Sequence, residues 1–185
     1  MNEYEALERI KQAADQNLPK LDLSDLELEG VPPSIGKCKH LKFLTISHNR
    51  LTSLPESIGQ LSNLIYLLAH DNQIISIPKS IGQLSNLKHL MLQNNQITSI
   101  PESIGNLSNL QLLYLDGNQI TLLPESIGNL SNLQLLYVHT NQITFIPQEL
   151  AEFLSNLQEF IFDTKQIIDP PQPIRELLKR QSEGS

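Results

Sequence analysis

An eleven-residue motif, LxxLxLxxNxI, recurs along this chain of 185 residues at a fixed step and constrains its fold more than any other feature. The first leucine of the motif returns every 23 residues, at Leu18, Leu41, Leu64, Leu87, Leu110 and Leu133, and a seventh copy begins one residue late at Leu157. A unit of this length cannot bury its apolar face alone. The chain is therefore predicted to stack seven turns, each stabilised by its neighbours.

From residue 18 to about residue 180 the pattern resembles the leucine-rich repeat family. Segments such as NQITSIPESIGNLSNL are most similar to the intracellular 23-residue type of Ras-pathway scaffolds and of Ras-group, bacterial and Roco-family proteins. The resemblance implies an α/β fold, namely a right-handed leucine-rich repeat solenoid, or horseshoe arc. It would have a parallel concave sheet and terminal helical caps.

The motif has the alternation of a short strand followed by a turn. Its fourth and sixth residues, such as Leu90 and Leu92, are predicted to point into the core, whereas the third, fifth and seventh point outward. The asparagine falls where the chain leaves the strand, and its amide offers both donors and an acceptor to unpaired backbone groups. The resemblance implies a structural asparagine ladder, formed by Asn49, Asn72, Asn95, Asn118 and Asn141.

The second half of each repeat carries a proline and a glycine at fixed positions. Prolines such as Pro78 and Pro101 predict an extended convex segment and oppose a long helix. Glycines such as Gly59 and Gly82 are interpreted as serving a tight convex bend. The sixth repeat is one residue longer near Phe153, where a bulge or a short helix is expected.

Both open ends of the stack are predicted to be capped. Tyr4, Leu7, Ile10 and Ala14 lie at helical spacing, which favours an amphipathic helix over residues 3–16, and the repeat phase runs into a final helix over about residues 173–180. The predicted organisation is one structural domain, with an N-terminal capping helix at 1–17, seven repeats at 18–172 and a C-terminal capping helix and tail at 173–185.

Composition narrows the range of partners and locations. A net charge of −7 and the lack of a basic cluster argue against nucleic acid as a partner. The N-terminal glutamates and the short apolar runs argue against a secretory signal and a membrane span, so a cytoplasmic location without membrane contact is expected. No motif indicates a cofactor.

The single cysteine, Cys38, lies at the repeat position that Leu61, Leu84 and Leu107 fill in later turns. It is therefore predicted to be a small buried side chain. A catalytic thiol, as in bacterial leucine-rich repeat ubiquitin ligases, would need an exposed thiolate beside a basic group, and in those ligases it belongs to a separate domain.

Function is expected at the outward strand positions, where the repeats differ. The third and fifth columns place apolar and aromatic side chains on neighbouring strands, about 4.8 Å apart. We call this set the concave stripe, and it comprises Phe43, Tyr66, Leu68, His89, Met91, Leu112, Tyr114, Leu135, Tyr137 and Ile161. Its polar rim comprises His70, Asp116, His139 and Asp163. Such a surface can pack only against itself, bind a second copy, or bind a protein or peptide partner.

Two groups of rim residues have the side chains of a chemical site. Asp116, His139 and Asp163 share one column, so an imidazole and carboxylates could meet and could hold zinc, while His48 and His70 form a weaker pair. Either group could make binding depend on pH near neutrality. No nucleophile with an orienting partner accompanies them, so neither a catalytic nor a metal site is assigned.

The sequence therefore predicts a non-enzymatic module that binds a protein or peptide on its concave face. One alternative is homodimerisation through the same stripe. Another is a regulatory leucine-rich repeat fragment of a larger enzyme, since the resemblance includes Roco-type GTPases and bacterial effectors, in which such repeats precede a catalytic module.

Overall fold

One parallel sheet of seven strands runs the length of the molecule. A computed structural model of the chain describes residues 2–163 and 166–183, and the side chains of residues 2–163 and 166–179. The strands are β1 (Lys20–Asp22), β2 (Phe43–Thr45), β3 (Tyr66–Leu68), β4 (His89–Met91), β5 (Leu112–Tyr114), β6 (Leu135–Tyr137) and β7 (Glu159–Ile161). They follow one another in chain order, and helices lie at both ends. This confirms the predicted leucine-rich repeat solenoid.

The register of the sheet is the repeat step itself. Leu67 pairs with Leu90, and Leu90 pairs with Leu113, so equivalent residues stand side by side along the whole stack. Leu90 and Leu92 are fully buried, as the alternation predicts. Because each strand has three residues, it turns one side chain inward and two outward, and the outward pairs form the concave columns.

The motif asparagines join neighbouring turns. Asn95 is a representative case: its Oδ1 accepts from the Ile74 amide at 2.9 Å, and its Nδ2 donates to the carbonyls of Ala69 and Leu92, both at 3.0 Å. Asn49, Asn72, Asn118 and Asn141 make equivalent bonds to the preceding repeat. One amide thus pairs buried backbone groups on two turns at once.

The convex segments are short 3-10 helices, and the predicted extended conformation is wrong there. They are Pro33–Lys37, Glu56–Gln60, Lys79–Gln83, Glu102–Asn106 and Glu125–Asn129. Each follows a proline, whose fixed φ suits the residue before a helix, and Ile104 closes its turn with a bond to the Pro101 carbonyl.

The glycines of these segments serve close contact between turns, not a bend. A Cβ on Gly82 would lie 2.4 Å from the Ser103 carbonyl oxygen, and one on Gly59 would lie 2.6 Å from the Ser80 carbonyl oxygen. Neither glycine has a positive φ, which a tight bend of the predicted kind would need. Glycine is required because each 3-10 helix packs its backbone against the next.

Helix α1 (Asn2–Asp15) covers the N-terminal end as predicted, and Ile10 and Ala14 pack against the core, but Tyr4 and Leu7 do not. It buries Ala6, Ile10 and Ala13. Tyr4 is 71% exposed and Leu7 is 41% exposed. The small side chains of Ala6 and Ala13 thus take the buried positions in place of Tyr4 and Leu7.

The C-terminal end is covered by two helices. Helix α2 (Gln148–Ser155) occupies the lengthened sixth repeat and buries Leu150, Ala151 and Leu154, so a short helix is the outcome there. Helix α3 (Gln172–Glu183) packs against it and buries Ile174. The end of the predicted tail, 184–185, lies outside the described residues. Within the described ranges, no helix has the length and apolar character to cross a membrane.

The buried thiol gives a simple test of the N-terminal packing. Cys38 is 2% exposed, and its Sγ donates to the Ile10 carbonyl of α1 at 3.3 Å. Burial raises the pKa of this thiol, which disfavours the reactive thiolate. We expect Ellman's reagent to leave Cys38 unmodified in the native protein at pH 8 and to label it fully in guanidinium chloride. Complete labelling of the native protein within minutes would contradict this packing.

Candidate interaction surface

Aromatic rings stack across the N-terminal half of the concave face. Phe43 and Tyr66 on β2 and β3 have centroids 4.6 Å apart and planes 8° from parallel. Tyr66 and His89 on β4 continue the stack at 4.5 Å and 14°. Parallel register forces this contact, because all three residues occupy the third motif position and pair directly in the sheet.

A second stack lies in the C-terminal half, one column over. Tyr114 and Tyr137 on β5 and β6 have centroids 4.5 Å apart and planes 9° from parallel. They occupy the fifth motif position, where Met91 precedes them and Ile161 follows. The rings therefore cross the sheet diagonally, with aliphatic side chains completing both columns.

The side chains of the concave stripe partly bury one another. Phe43 is exposed, and most of the other members are half-buried. Leu112 differs from the expected exposure: it is 9% exposed, because His89 and Leu135 flank it on the neighbouring strands. Flat ring faces are thus buried against each other, while ring edges and aliphatic ends remain open to solvent.

Charged groups lie at both ends of the stripe, and the site prediction did not include them. At the N-terminal end, Lys20 Nζ lies 5.0 Å from the centroid of the Phe43 ring. A shallow depression lies there, lined in part by Asp22, Thr45 and Leu68. At the other end the Tyr137 hydroxyl donates to Glu159 Oε2 at 2.6 Å, and this bond raises the pKa of Tyr137 above its ordinary value.

His89, the histidine of the concave stripe, contributes mainly as an aromatic ring and not as a charged group. Burial first, and the charge of Lys88 second, lower the pKa of His89 below its ordinary value. The neutral imidazole is therefore favoured near neutral pH, where it continues the ring stack on Tyr66.

The rim column of Asp116, His139 and Asp163 does not come together as a three-residue site. His139 Nε2 lies 4.0 Å from Asp116 Oδ2, while Asp163 Oδ2 accepts from the Asn141 amide at 3.2 Å. The other ring nitrogen of His139 is buried and has no hydrogen-bond partner among the residues that the structure describes. This column supplies polar groups beside the stripe but no assembled ligand set.

A different rim group is assembled, and the weaker pair of the sequence is part of it. His48, His70 and Asp71 each turn a ligand atom toward the others at the ends of β2 and β3. Burial raises the pKa of Asp71, but hydrogen bonds from His70 and Asn94 and the charges of the two imidazoles outweigh it. The net pKa lies below the ordinary value.

A separate set of exposed apolar side chains was missed. Ile75, Leu122, Phe145 and Ile168 are each at least half exposed and lie outside the concave stripe. Leu122 and Phe145 occupy the same position of consecutive repeats, twelve residues after Leu110 and Leu133. Their shared position in the repeat is the sequence signal that identifies this pair.

Comparison with protein families accounts for nearly the whole chain. A model described as leucine-rich repeat region matches residues 76–179, and one described as leucine rich repeat matches residues 16–74. The chain belongs to the leucine-rich repeat family. Domains of this family generally mediate protein–protein interaction and are typically non-enzymatic. A comparison with curated protein sequences gives no significant match.

Solved leucine-rich repeat structures resemble this chain over most of its length. The leucine-rich repeat domain of the type III effector XopL is 26% identical over 91% of this chain and 60% of its own, with a TM-score of 0.81. A TDR receptor is 33% identical over 80% and 26%, with a TM-score of 0.68. The ectodomain of the Arabidopsis thaliana membrane receptor kinase GASSHO1/SCHENGEN3, solved in complex with CASPARIAN STRIP INTEGRITY FACTOR 2, is 29% identical over 87% and 22%, with a TM-score of 0.62. The chain thus spans less than two thirds of each of these structures.

Proposed function

We propose that this chain is a non-enzymatic interaction module that binds a protein or peptide on its concave stripe. The observation that carries the proposal is the diagonal band of stacked rings, half exposed on a regular sheet. Contiguous exposed apolar surface of this kind marks interaction sites in proteins. Stacking also holds the rings in one conformation, so their side chains would lose little conformational entropy when a partner binds.

The charges around the stripe indicate the chemistry of the partner. Its centre offers ring edges and aliphatic ends, which suit the aromatic or aliphatic side chains of a partner loop or helix. The rim offers the carboxylates of Asp116 and Asp163, and the whole chain carries a net charge of −7. A partner segment with apolar side chains flanked by lysine or arginine complements both features.

We also propose the finer assignments that the sequence suggested. The 23-residue step and the sequence of the convex segments favour the intracellular repeat type and a cytoplasmic location. The proposed organisation keeps residues 1–17 and 173–185 as caps on the seven repeats. Since the chain covers only part of the three solved structures named above, a role as the recognition segment of a larger enzyme is compatible with the same concave site.

A display-selected peptide tests the proposed surface. After selection against the purified chain, we expect Tyr114→Ala with Tyr137→Ala to weaken peptide binding at least about 30-fold, because hot-spot tyrosines contribute about 2 kcal/mol or more. The dissociation constants would be measured by fluorescence polarisation, with thermal melts to confirm folding. Loss of the ring stack should cost about 0.5–1.5 kcal/mol beyond the contribution of the buried ring area.

The matched control removes apolar surface elsewhere. Leu122→Ala with Phe145→Ala deletes two exposed side chains outside the stripe and should leave the dissociation constant within about twofold, as expected for a residue with no contact to the ligand. Equal losses in both double variants, or a loss only in this control, would refute the concave site.

Sedimentation equilibrium separates a foreign partner from a second copy. Two copies that each carry a net charge of −7 repel one another, so we expect a monomer from low to high micromolar concentration. A dimer that Tyr114→Ala with Tyr137→Ala abolishes would assign the stripe to self-association instead.

A further inference from the structure

Two histidines and an aspartate meet at the rim beside the ends of β2 and β3. His70 Nδ1 lies 2.7 Å from Asp71 Oδ2, and His48 Nδ1 lies 3.6 Å from the same oxygen. One ligand atom from each residue lies within 4.8 Å of the other two. We propose that His48, His70 and Asp71 form a binding site for a divalent transition-metal ion, with zinc as the best match.

The distances suit a tetrahedral ion. Zinc sits about 2.0–2.1 Å from histidine nitrogen and carboxylate oxygen, so the ligand atoms of one tetrahedron stand about 3.4 Å apart. The two measured separations lie on either side of that value. The His48 and His70 rings are 88° from parallel with centroids 5.0 Å apart, an edge-on contact that keeps the two imidazoles side by side at Asp71.

A neighbouring side chain holds the carboxylate in place. Asn94 Nδ2 donates to Asp71 Oδ1 at 2.9 Å, which occupies the oxygen remote from the imidazoles and leaves Oδ2 aimed at them. Hydrogen bonds of this kind orient the ligands of metal sites and strengthen them. The orientation of Asp71 is therefore fixed by the next repeat along the stack.

Exposure and donor type narrow the class of ion. His70 has a side chain 21% exposed, whereas His48 and Asp71 are 52% and 36% exposed, so the fourth coordination position faces solvent and suits a water ligand. Imidazole with one carboxylate favours zinc, copper or nickel over calcium and magnesium, which prefer all-oxygen sites. The ion would replace the proton through which His70 Nδ1 donates to Asp71 Oδ2, and the bound imidazole would keep its proton on Nε2.

The repeat step creates this site, and the same step supplies a control. His48 and Asp71 occupy the same motif position one repeat apart, and His70 is the neighbour of Asp71. His139 occupies the same motif position as His70, but among the described residues it belongs to no three-residue ligand group and pairs with Asp116 at 4.0 Å. His139 is therefore a rim histidine like His70, but it has no second imidazole beside it among the described residues.

Isothermal titration of the full chain with zinc chloride tests the site. The protein would be treated with a chelator, dialysed and freed of any histidine tag. We expect saturable binding of one ion per chain, weakened at least about tenfold by His70→Ala or Asp71→Asn and unchanged in His139→Ala. His48→Ala, at an exposed position, gives the same loss with no effect on the core. Cobalt(II) should give the intense visible absorption of a tetrahedral site.

Three results would overturn the proposal. These are no saturable heat up to millimolar zinc, an affinity equal to wild type in folded His48→Ala and His70→Ala variants, or an equal loss in His139→Ala. Circular dichroism of each variant shows whether it is folded. Peptide binding is not needed for any of these measurements, so the metal site and the proposed concave function fail or stand separately.

Discussion

Replacing Asn95 by alanine is expected to lower the free energy of unfolding by about 4 kcal/mol. The side chain is 8% exposed, and alanine leaves the Ile74 amide without a partner, whereas the carbonyls of Ala69 and Leu92 each lose one bond but keep one from Asn72 or Asn118. The unpaired amide costs about 1–3 kcal/mol, and each of the two lost carbonyl bonds about 0.5–1.5 kcal/mol. Urea denaturation followed by far-UV circular dichroism would measure the loss.

An exposed asparagine of the adjoining convex segment provides the matched control. Asn86 Nδ2 donates to the Ser62 carbonyl at 2.8 Å, but this bond lies on the exposed surface, where water replaces it. Asn86→Ala should therefore cost less than about 1 kcal/mol. If the two substitutions destabilise equally, the burial of the asparagine ladder is not what makes it stabilising.

Adding one methyl group at Gly82 is expected to cost about 3 kcal/mol. The new Cβ would lie 2.4 Å from the Ser103 carbonyl oxygen and 2.9 Å from Ser103 Cβ. A backbone oxygen cannot rotate away, so relief requires the 3-10 helices Lys79–Gln83 and Glu102–Asn106 to separate. The same denaturation experiment would report the change for Gly82→Ala.

Gly30 isolates the steric effect from the general effect of replacing glycine. A Cβ there would meet nothing within 4 Å, and its φ is not positive. Gly30→Ala should be neutral or raise stability by up to about 1 kcal/mol, because alanine restricts the unfolded chain. Destabilisation by Gly30→Ala comparable to that by Gly82→Ala would contradict the close-contact role of the repeated glycines.

The strands and the core could be predicted from the sequence because two periods agree. The 23-residue step places equivalent residues side by side, and the alternation within each strand selects which of them point inward. The burial of Cys38 follows from its position in the repeat alone, because leucine occupies that position in later repeats. Local pattern and global stacking reinforce each other at such positions.

The conformation of the convex side could not be predicted, because it depends on contacts between neighbouring turns. Pro101 fixes its own φ but leaves the conformation of the next residues open, and these form a 3-10 helix. Gly82 is a glycine because of Ser103 in the next repeat, a contact that spacing alone does not reveal. The buried face of α1 was predicted in part: Ile10 is buried, but Ala6 and Ala13 take the positions beside it in place of Tyr4 and Leu7.

In the candidate site, the sequence columns predicted which aromatic residues are neighbours, but they did not predict which rim residues come into contact. Asp116, His139 and Asp163 share a column, yet Asp163 is taken by the Asn141 amide. His48 and Asp71 have φ values of 55° and 54°, in the left-handed region, and this rotates their side chains out of the strand alternation. His70 therefore meets a residue of the adjacent column, which alternation does not predict.

The ¹³C-methyl signal of Met91, followed by NMR during titration with a selected peptide, tests the central claim most directly. Met91 lies in the middle of the concave stripe, half-buried on β4, between Leu68 and Tyr114. The substitution Leu122→Met adds a reference methyl outside the stripe. We expect the Met91 signal to shift and saturate with the peptide while the reference stays in place. A saturating shift of the reference with Met91 unchanged would place the binding surface elsewhere.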